Sequence, residues 1–308
     1  MNVTSSSVIA YIVVLVLAPA VVGIATRTKS ALTGRRGAPI LQLYFDLWKL
    51  CRRGVVISET TTGMFRVAPA VLLAAILLAA AIVPFDGRMS LIRFSGDAVA
   101  FAYVLALGRF VLVLGALDTG SSFEGMGASR EVTFSSLIEP ALFLSFAALS
   151  VATHHLSLSG MLGRSFAGDW TAALPSLILI AASLFAILLA ECARVPVDDP
   201  ATHLELTMIH EVIVLDHSGP DLALILYGSA LKLAIFGALI VGVVAPRREM
   251  TTATSIVVLA AGLLGVGVGV GVVEATMARL RLLKVPLYLT GAASLALFSV
   301  VLLLWTPA

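Results

Sequence analysis

Residues 173–219 read ALPSLILIAASLFAILLAECARVPVDDPATHLELTMIHEVIVLDHSG. The first part, 173–193, is a continuous apolar run of the length that crosses a bilayer as an α-helix, roughly 20 residues. The remainder, 191–219, carries six carboxylates, three histidines and two prolines. Ionisable groups this close to membrane depth are expensive, and they usually face a cavity or a partner subunit. The junction therefore reads as a membrane helix running into a functional loop.

The apolar signature recurs along the chain. The protein is 59% hydrophobic and only 12% charged, with a mean hydropathy of +1.05, where a soluble domain carries about 25% charged residues. Apolar runs fall at about 7–26, 66–85, 98–117, 132–153, 173–193, 221–245, 254–275 and 286–305. They predict an all-α, polytopic membrane protein with eight transmembrane helices, forming one transmembrane domain over 1–308. A β-barrel is excluded because the runs are continuous rather than alternating.

Lysine and arginine set the orientation. Thirteen fall in the loops after the first, third, fifth and seventh spans, including Arg27, Lys29, Arg35, Arg36, Lys49, Arg130, Arg194 and Arg279, against five in the opposite loops. Loops 27–65, 118–131, 194–220 and 276–285 are thus expected in the cytoplasm, with both termini outside. No basic residue precedes Arg27, so the first run reads as a retained span rather than a cleaved signal peptide. The net charge of +2 reflects this bias and carries no nucleic-acid signal.

Between the first two spans, LQLYFDLWKLCRRG (41–54) places Leu43, Leu47 and Leu50 at helical spacing among Asp46, Lys49, Arg52 and Arg53. It predicts an amphipathic helix lying at the cytoplasmic interface or under a partner protein. LDTGSSFEGMGASRE (117–131) reads as a flexible charged loop. In PVDDP (196–200) the prolines break the chain, and a short helix is expected from about Ala201 to Leu215. In the seventh span Gly265/Gly269 and Gly267/Gly271 are four apart, a spacing that lets membrane helices approach closely.

Arg109, Glu139, Glu191, Lys232 and Glu274 interrupt the spans or sit at their edges. A desolvated carboxylate has a raised pKa and exchanges protons near neutral pH. Glu139, Glu191, Glu205, Glu211 and Glu274 could therefore form a proton relay on the cytoplasmic side, with Lys232 and Arg109 as counter-charges. Static ion pairs holding the helices together are the alternative. His203, His210 and His217 are seven apart, on one face of a continuous helix, but that step separates Cα atoms by roughly 10 Å, too far to share a metal. Two distant cysteines, Cys51 and Cys192, do not make an iron–sulfur or zinc site. No nucleophile elbow, phosphate loop or H-E-x-x-H pattern appears.

GRRGAPILQLYFDLWKL, LDTGSSFEGMGASRE, the Glu139–Pro140 pair in SLIEPAL, ECARVPVDDPATHLELTMIHE and EATMARLRL occur in order across nearly the whole chain. In this order they resemble the membrane subunit shared by energy-converting [NiFe]-hydrogenases, in the hydrogenase-4 and formate hydrogenlyase branch, and by respiratory complex I. The resemblance implies a non-catalytic subunit in a bacterial or archaeal cell membrane. It would anchor the [NiFe] large and small subunits and an iron–sulfur subunit, and couple their electron transfer to proton or sodium movement in antiporter-like membrane subunits. It implies no cofactor on this chain, with the nickel–iron centre and the iron–sulfur clusters on partners. It carries a coupling path onto Glu139, Glu191, Asp198, Glu205 and Glu211. Docking surfaces fall on Arg35, Arg36, Asp46 and Lys49, on Arg130 and Glu131, and on Arg194 and Arg279. Ala201 and His203 stand where complex I usually has carboxylates, which argues against a quinone chamber. A quinone-site subunit of a complex I-like NAD(P)H or F420H2 dehydrogenase is the second reading.

Overall fold

In hydrocarbon every main-chain N–H and C=O has to be satisfied within its own segment, so continuous apolar runs become helices. The computed structural model describes residues 5–162, 174–198, 208–245 and 250–305. Eight long helices match the eight runs: α1 Ser5–Leu32, α3 Gly63–Ile82, α4 Asp97–Asp118, α5 Ser122–Thr153, α7 Leu174–Glu191, α9 Gly219–Val244, α10 Thr252–Thr276 and α11 Val285–Trp305. Among the described residues three short α-helices, α2 Gln42–Cys51, α6 Leu158–Leu162 and α8 His210–Ile213, and a 3-10 turn at Leu282–Lys284 lie between them. No strand occurs among the described residues. The protein is a multi-pass, all-α membrane protein.

Helix α9 is the centre, with 78% of its apolar stretch buried inside the protein, against 28% for α10 and 22% for Leu282–Trp305. Helices α1, α3, α7 and α10 surround α9, α4 pairs with α3, and α11 lies against α5 and α7. Lipid tails are as apolar as leucine, so close packing rather than water exclusion holds such helices together. Gly267 and Gly271 of α10 supply it against α1. A Cβ added at Gly267 would lie 2.9 Å from the Val21 carbonyl oxygen, and one at Gly271 would lie 2.6 Å from Thr28 Cβ. The other glycine pair has no such role: Gly269 only touches the Phe185 ring and Gly265 faces open space.

Polar ties fix the arrangement. Pro19 interrupts α1 and cannot donate to the Leu15 carbonyl, so the Tyr227 hydroxyl of α9 donates there instead, at 3.0 Å. Asp118, ending α4, accepts from the main-chain N–H of Thr62 at 2.7 Å and of Phe65 at 3.2 Å, closing the start of α3.

Two local expectations change. The segment expected as a flexible loop, 118–131, turns only briefly, because α5 starts at Ser122 and carries Glu124, Arg130 and Glu131 on one helix. Glu124 lies in its first turn, where the helix dipole favours an acid. The helix expected from Ala201 to Leu215 is one turn, α8, in its described part, while residues 199–207, with His203 and Glu205, lie outside the described residues. Asp198 is the physical reason. Its Oδ2 accepts from the N–H groups of Ile209 at 3.0 Å and His210 at 3.2 Å, drawing both away from a helical ladder. His217 therefore does not share a helical face with His210, and stacks on Phe65 with ring centroids 4.0 Å apart.

Candidate functional site

Four helices bring ionisable side chains together within the bundle: Arg109 on α4, Glu139 on α5, Glu191 at the end of α7 and Lys232 on α9. Arg109 Nη2 lies 3.2 Å from Glu191 Oε1 and 3.8 Å from Glu139 Oε1, while Lys232 Nζ lies 3.5 Å from the same Glu191 oxygen. The Glu191 side chain is 4% exposed and that of Glu139 is 33% exposed. Two cations share one buried carboxylate, and removing any member leaves an uncompensated charge.

A second pair sits nearer the surface. Arg279 Nη2, just past α10, lies 2.8 Å from Asp198 Oδ1. Its neighbour Leu280 donates its N–H to the Pro196 carbonyl at 2.8 Å, folding the loop after α10 onto the loop after α7. Arg130 joins from α5, donating from Nη1 to the Met208 carbonyl at 2.8 Å.

Between cluster and pair lies a cavity of about 10 Å³, lined by Glu131, Ser135, Glu191, Asp198 and His210 among others. That is the space one water molecule needs, and the lining offers it the polar partners it requires. Burial holds the His210 imidazole below its ordinary pKa; Lys232 adds to this, against the opposing pull of Glu131, Asp198 and Glu191. A neutral imidazole has one donor and one acceptor nitrogen and passes a proton by exchanging them. Its Nε2 lies 3.4 Å from Ser229 Oγ.

Glu274 belongs to a separate cluster, with Arg194 Nη1 at 3.2 Å and Lys29 Nζ at 3.8 Å. It ties α10 to α1 and to the chain after α7. Glu211 is half-buried on α8 and does not line the cavity. The relay residues read from the sequence thus divide: Glu139, Glu191 and Lys232 converge, Asp198 reaches them across the cavity, and Glu274 stands apart.

The residues expected to dock partners divide as well. Arg35, Arg36 and Lys49 are exposed, whereas Asp46 accepts from Gln42 Nε2 at 2.9 Å. Arg194 and Arg279 turn inward to their acidic partners, with side chains 13% and 17% exposed. Glu131 lines the cavity. Sequence reasoning missed Lys29 as a partner of Glu274 and treated Glu131 only as a docking residue. Its position two turns before Glu139 on one helix was the available signal. Among the described residues no group of three or more His, Cys, Asp or Glu side chains could hold a metal ion.

The arrangement is a string of ionisable groups from a surface loop to the membrane interior, interrupted by room for one water. Known proteins share this chain's architecture. Hydrogenase-4 component C of Escherichia coli is 33% identical over 280 residues, covering 89% of this chain and 87% of that protein. Formate hydrogenlyase subunit 4 of the same organism is 30% identical over 277 residues, covering 88% and 89%. A chain of the membrane-bound sulfane sulfur reductase, an archaeal respiratory membrane complex, has the same fold, with a TM-score of 0.78 at 17% identity over 97% of this chain and 98% of that one. The family model described as NADH dehydrogenase matches residues 6–306. The chain belongs to that complex I-like family of membrane subunits, as a homologue of hydrogenase-4 component C and formate hydrogenlyase subunit 4.

Proposed function

We propose that the protein is the membrane subunit of a multi-subunit [NiFe]-hydrogenase of the hydrogenase-4 or formate hydrogenlyase kind. It anchors the hydrophilic redox arm and relays its electron transfer to ion movement in the membrane. The partners in this reading are the [NiFe] large and small subunits, an iron–sulfur subunit and antiporter-like membrane subunits, which hold the metal centres. The loops after the first, third, fifth and seventh spans face the cytoplasm in a bacterial or archaeal cell membrane, leaving both termini outside.

The observation that carries the reading is the continuity between the Asp198–Arg279 pair and the Glu191 cluster through the water-sized cavity. Asp198 holds Arg279 by one oxygen and the turn at His210 by the other. A charge or loop shift imposed by the redox arm thus reaches His210 and, across the cavity, Glu191. Glu191 shares Arg109 with Glu139, so a proton gained by one glutamate strengthens the hold of Arg109 on the other. Arg35 and Arg36 extend the basic cytoplasmic surface on which an arm would seat.

Purifying the tagged chain from membranes tests the assembly: a nickel-containing subunit and hydrogen-evolving activity are expected to co-isolate. Asp198→Asn then tests the relay. Electron transfer should persist while proton movement into inverted vesicles falls about tenfold or more. Full proton movement in an assembled Asp198→Asn complex would leave only static ion pairs.

The family description as NADH dehydrogenase favours one second reading, a quinone-linked dehydrogenase subunit. Co-isolation of dehydrogenase subunits with bound quinone, and no hydrogenase activity, would select it.

A further inference from the structure

Helix α2 is amphipathic, and its position says what its outer face meets. The Tyr44 hydroxyl on α2 donates to the carbonyl oxygen of Val16, within the apolar part of α1. Gly23, also in α1, faces the Ile40 carbonyl so closely that no side chain fits between them. At the level of Val16, Tyr227 of α9 reaches the adjacent Leu15 carbonyl. Tyr227 lies eight residues into α9, about 12 Å along its axis. Helix α2 thus lies below the end of α9, at the depth where interfacial helices sink into the headgroup and acyl boundary, roughly 5–10 Å.

At that depth its outer face is large, apolar and bare. Leu41 is 52% exposed, Phe45 59% and Trp48 62%, at positions sharing one side of a helix. Cations follow on the same side. Arg52, one turn beyond Trp48, holds its guanidinium carbon 4.3 Å from the centre of the indole ring. Lys49 and Arg53 are exposed beside it. The chain there is pinned to the start of α9: the Val56 N–H donates to Ser218 Oγ at 3.0 Å, and a Cβ at Gly219 would lie 3.2 Å from the Arg53 carbonyl oxygen. The one acid on α2, Asp46, is engaged by Gln42 at 2.9 Å.

We propose that this face of α2 binds an anionic phospholipid, with Lys49, Arg52 and Arg53 on the headgroup phosphate and Leu41, Phe45 and Trp48 along the acyl chains. Basic residues at a cytoplasmic membrane boundary attract anionic headgroups within about a Debye length of the surface. A soluble subunit has no access to aromatic side chains at this depth, so lipid rather than protein fits the face. The inference stands on membrane depth and charge and does not need the hydrogenase reading.

The full-length chain, with whatever subunits co-isolate, is exchanged into nanodiscs containing equal parts phosphatidylcholine and phosphatidylglycerol. It is re-extracted in neutral detergent and its bound lipids are counted by mass spectrometry. Phosphatidylglycerol should be enriched over phosphatidylcholine, and rising salt should lower the enrichment. The K49Q/R52Q/R53Q variant should lose the enrichment severalfold, and K49R/R52K/R53K should keep most of it. Should the triple glutamine variant not assemble, R52Q and R53Q alone, both at exposed positions, carry the same test in smaller steps. Equal enrichment in wild type and glutamine variants overturns the proposal. So does unchanged lipid with loss of a co-isolating soluble subunit, which would make the face a protein surface.

Discussion

Away from the basic loops, Asp86 is 1% exposed and takes hydrogen bonds from the Ser6 and Ser7 hydroxyls and from the N–H groups of Arg88 and Met89. Nearby, Asp97 is fully buried and accepts from the Leu158 N–H at 2.6 Å. Neither forms an ion pair among the described residues. At the other end Glu191 is as well buried but meets Arg109 and Lys232, Arg109 also meets Glu139, and Glu274 meets Arg194 and Lys29. Neutral donors fixed to the main chain give a carboxylate one stable geometry. Shared charges tie the Glu191 carboxylate to more than one group, and in the proposed relay protonating one acid frees its cation for the next. In that relay the first end holds its carboxylates and the second redistributes charge, although both bury carboxylates in the same bundle.

The largest expected effect tests the sharing directly. Glu191→Ala removes the acid that Arg109 and Lys232 share and leaves Arg109 with Glu139 at 3.8 Å, and breaking a buried pair this way costs about 3–5 kcal/mol. Most assembled protein should vanish from membranes, as read by immunoblot. Adding Lys232→Met should recover a large part, since the two changes touch one cluster and are not additive. Recovery no better than with Glu191→Ala alone would show that Lys232 is not charge-coupled to Glu191. The milder Glu191→Gln should assemble and lose proton movement at least tenfold.

Asp86→Ala has the next largest effect, and it acts on stability rather than on charge sharing. It removes the acceptor shared by the Ser6 and Ser7 hydroxyls and the Arg88 and Met89 N–H groups, a loss of about 3 kcal/mol. The thermal midpoint should fall, while proton movement per assembled complex stays at the wild-type level. A coupling defect without a stability defect would place Asp86 in the moving part of the molecule.

The eight spans were legible because each apolar run is long enough to force a helix, and α2 was legible from its leucine spacing. Arg109, Glu139, Glu191 and Lys232 stood out as charges inside apolar segments. Their grouping was not legible, because which helices touch depends on three-dimensional packing that one sequence does not encode locally. Glu274 shows this: it reads like a relay acid alongside Glu139, Glu191, Glu205 and Glu211, yet α10 packs on α1 through Gly267 and Gly271 and delivers it to Lys29. Arg194 and Arg279 read as loop charges, but the Leu280–Pro196 hydrogen bond folds their loops together and buries both against acids. The short helix was overextended because nothing in PVDDP announces that Asp198 will capture two amides eleven and twelve residues away.

The smallest effect sharpens the boundary between the two behaviours. His217 lies at the redistributing end, yet it is 4% exposed, stacked on Phe65, and both of its ring nitrogens lack a hydrogen-bond partner among the described residues. Burial lowers its pKa from 6.5 to about 4, with only Asp216 pulling upward. Below pH 6.5 the unfolded chain takes up a proton that the folded imidazole refuses until about pH 4. Stability should therefore fall as pH drops through that window and level off beneath it. His217→Phe keeps the stack and removes the titration. Stability at pH 7.5 should stay within about 1 kcal/mol, as for a well-fitting swap, while the decline between pH 6.5 and 4 becomes shallower. Proton movement should not change, because an imidazole without a hydrogen-bonded neighbour has nothing to hand a proton to. A His217→Phe protein with unaltered pH-dependent stability but slowed proton movement would put His217 in the string, and extend the redistributing end to the start of α9.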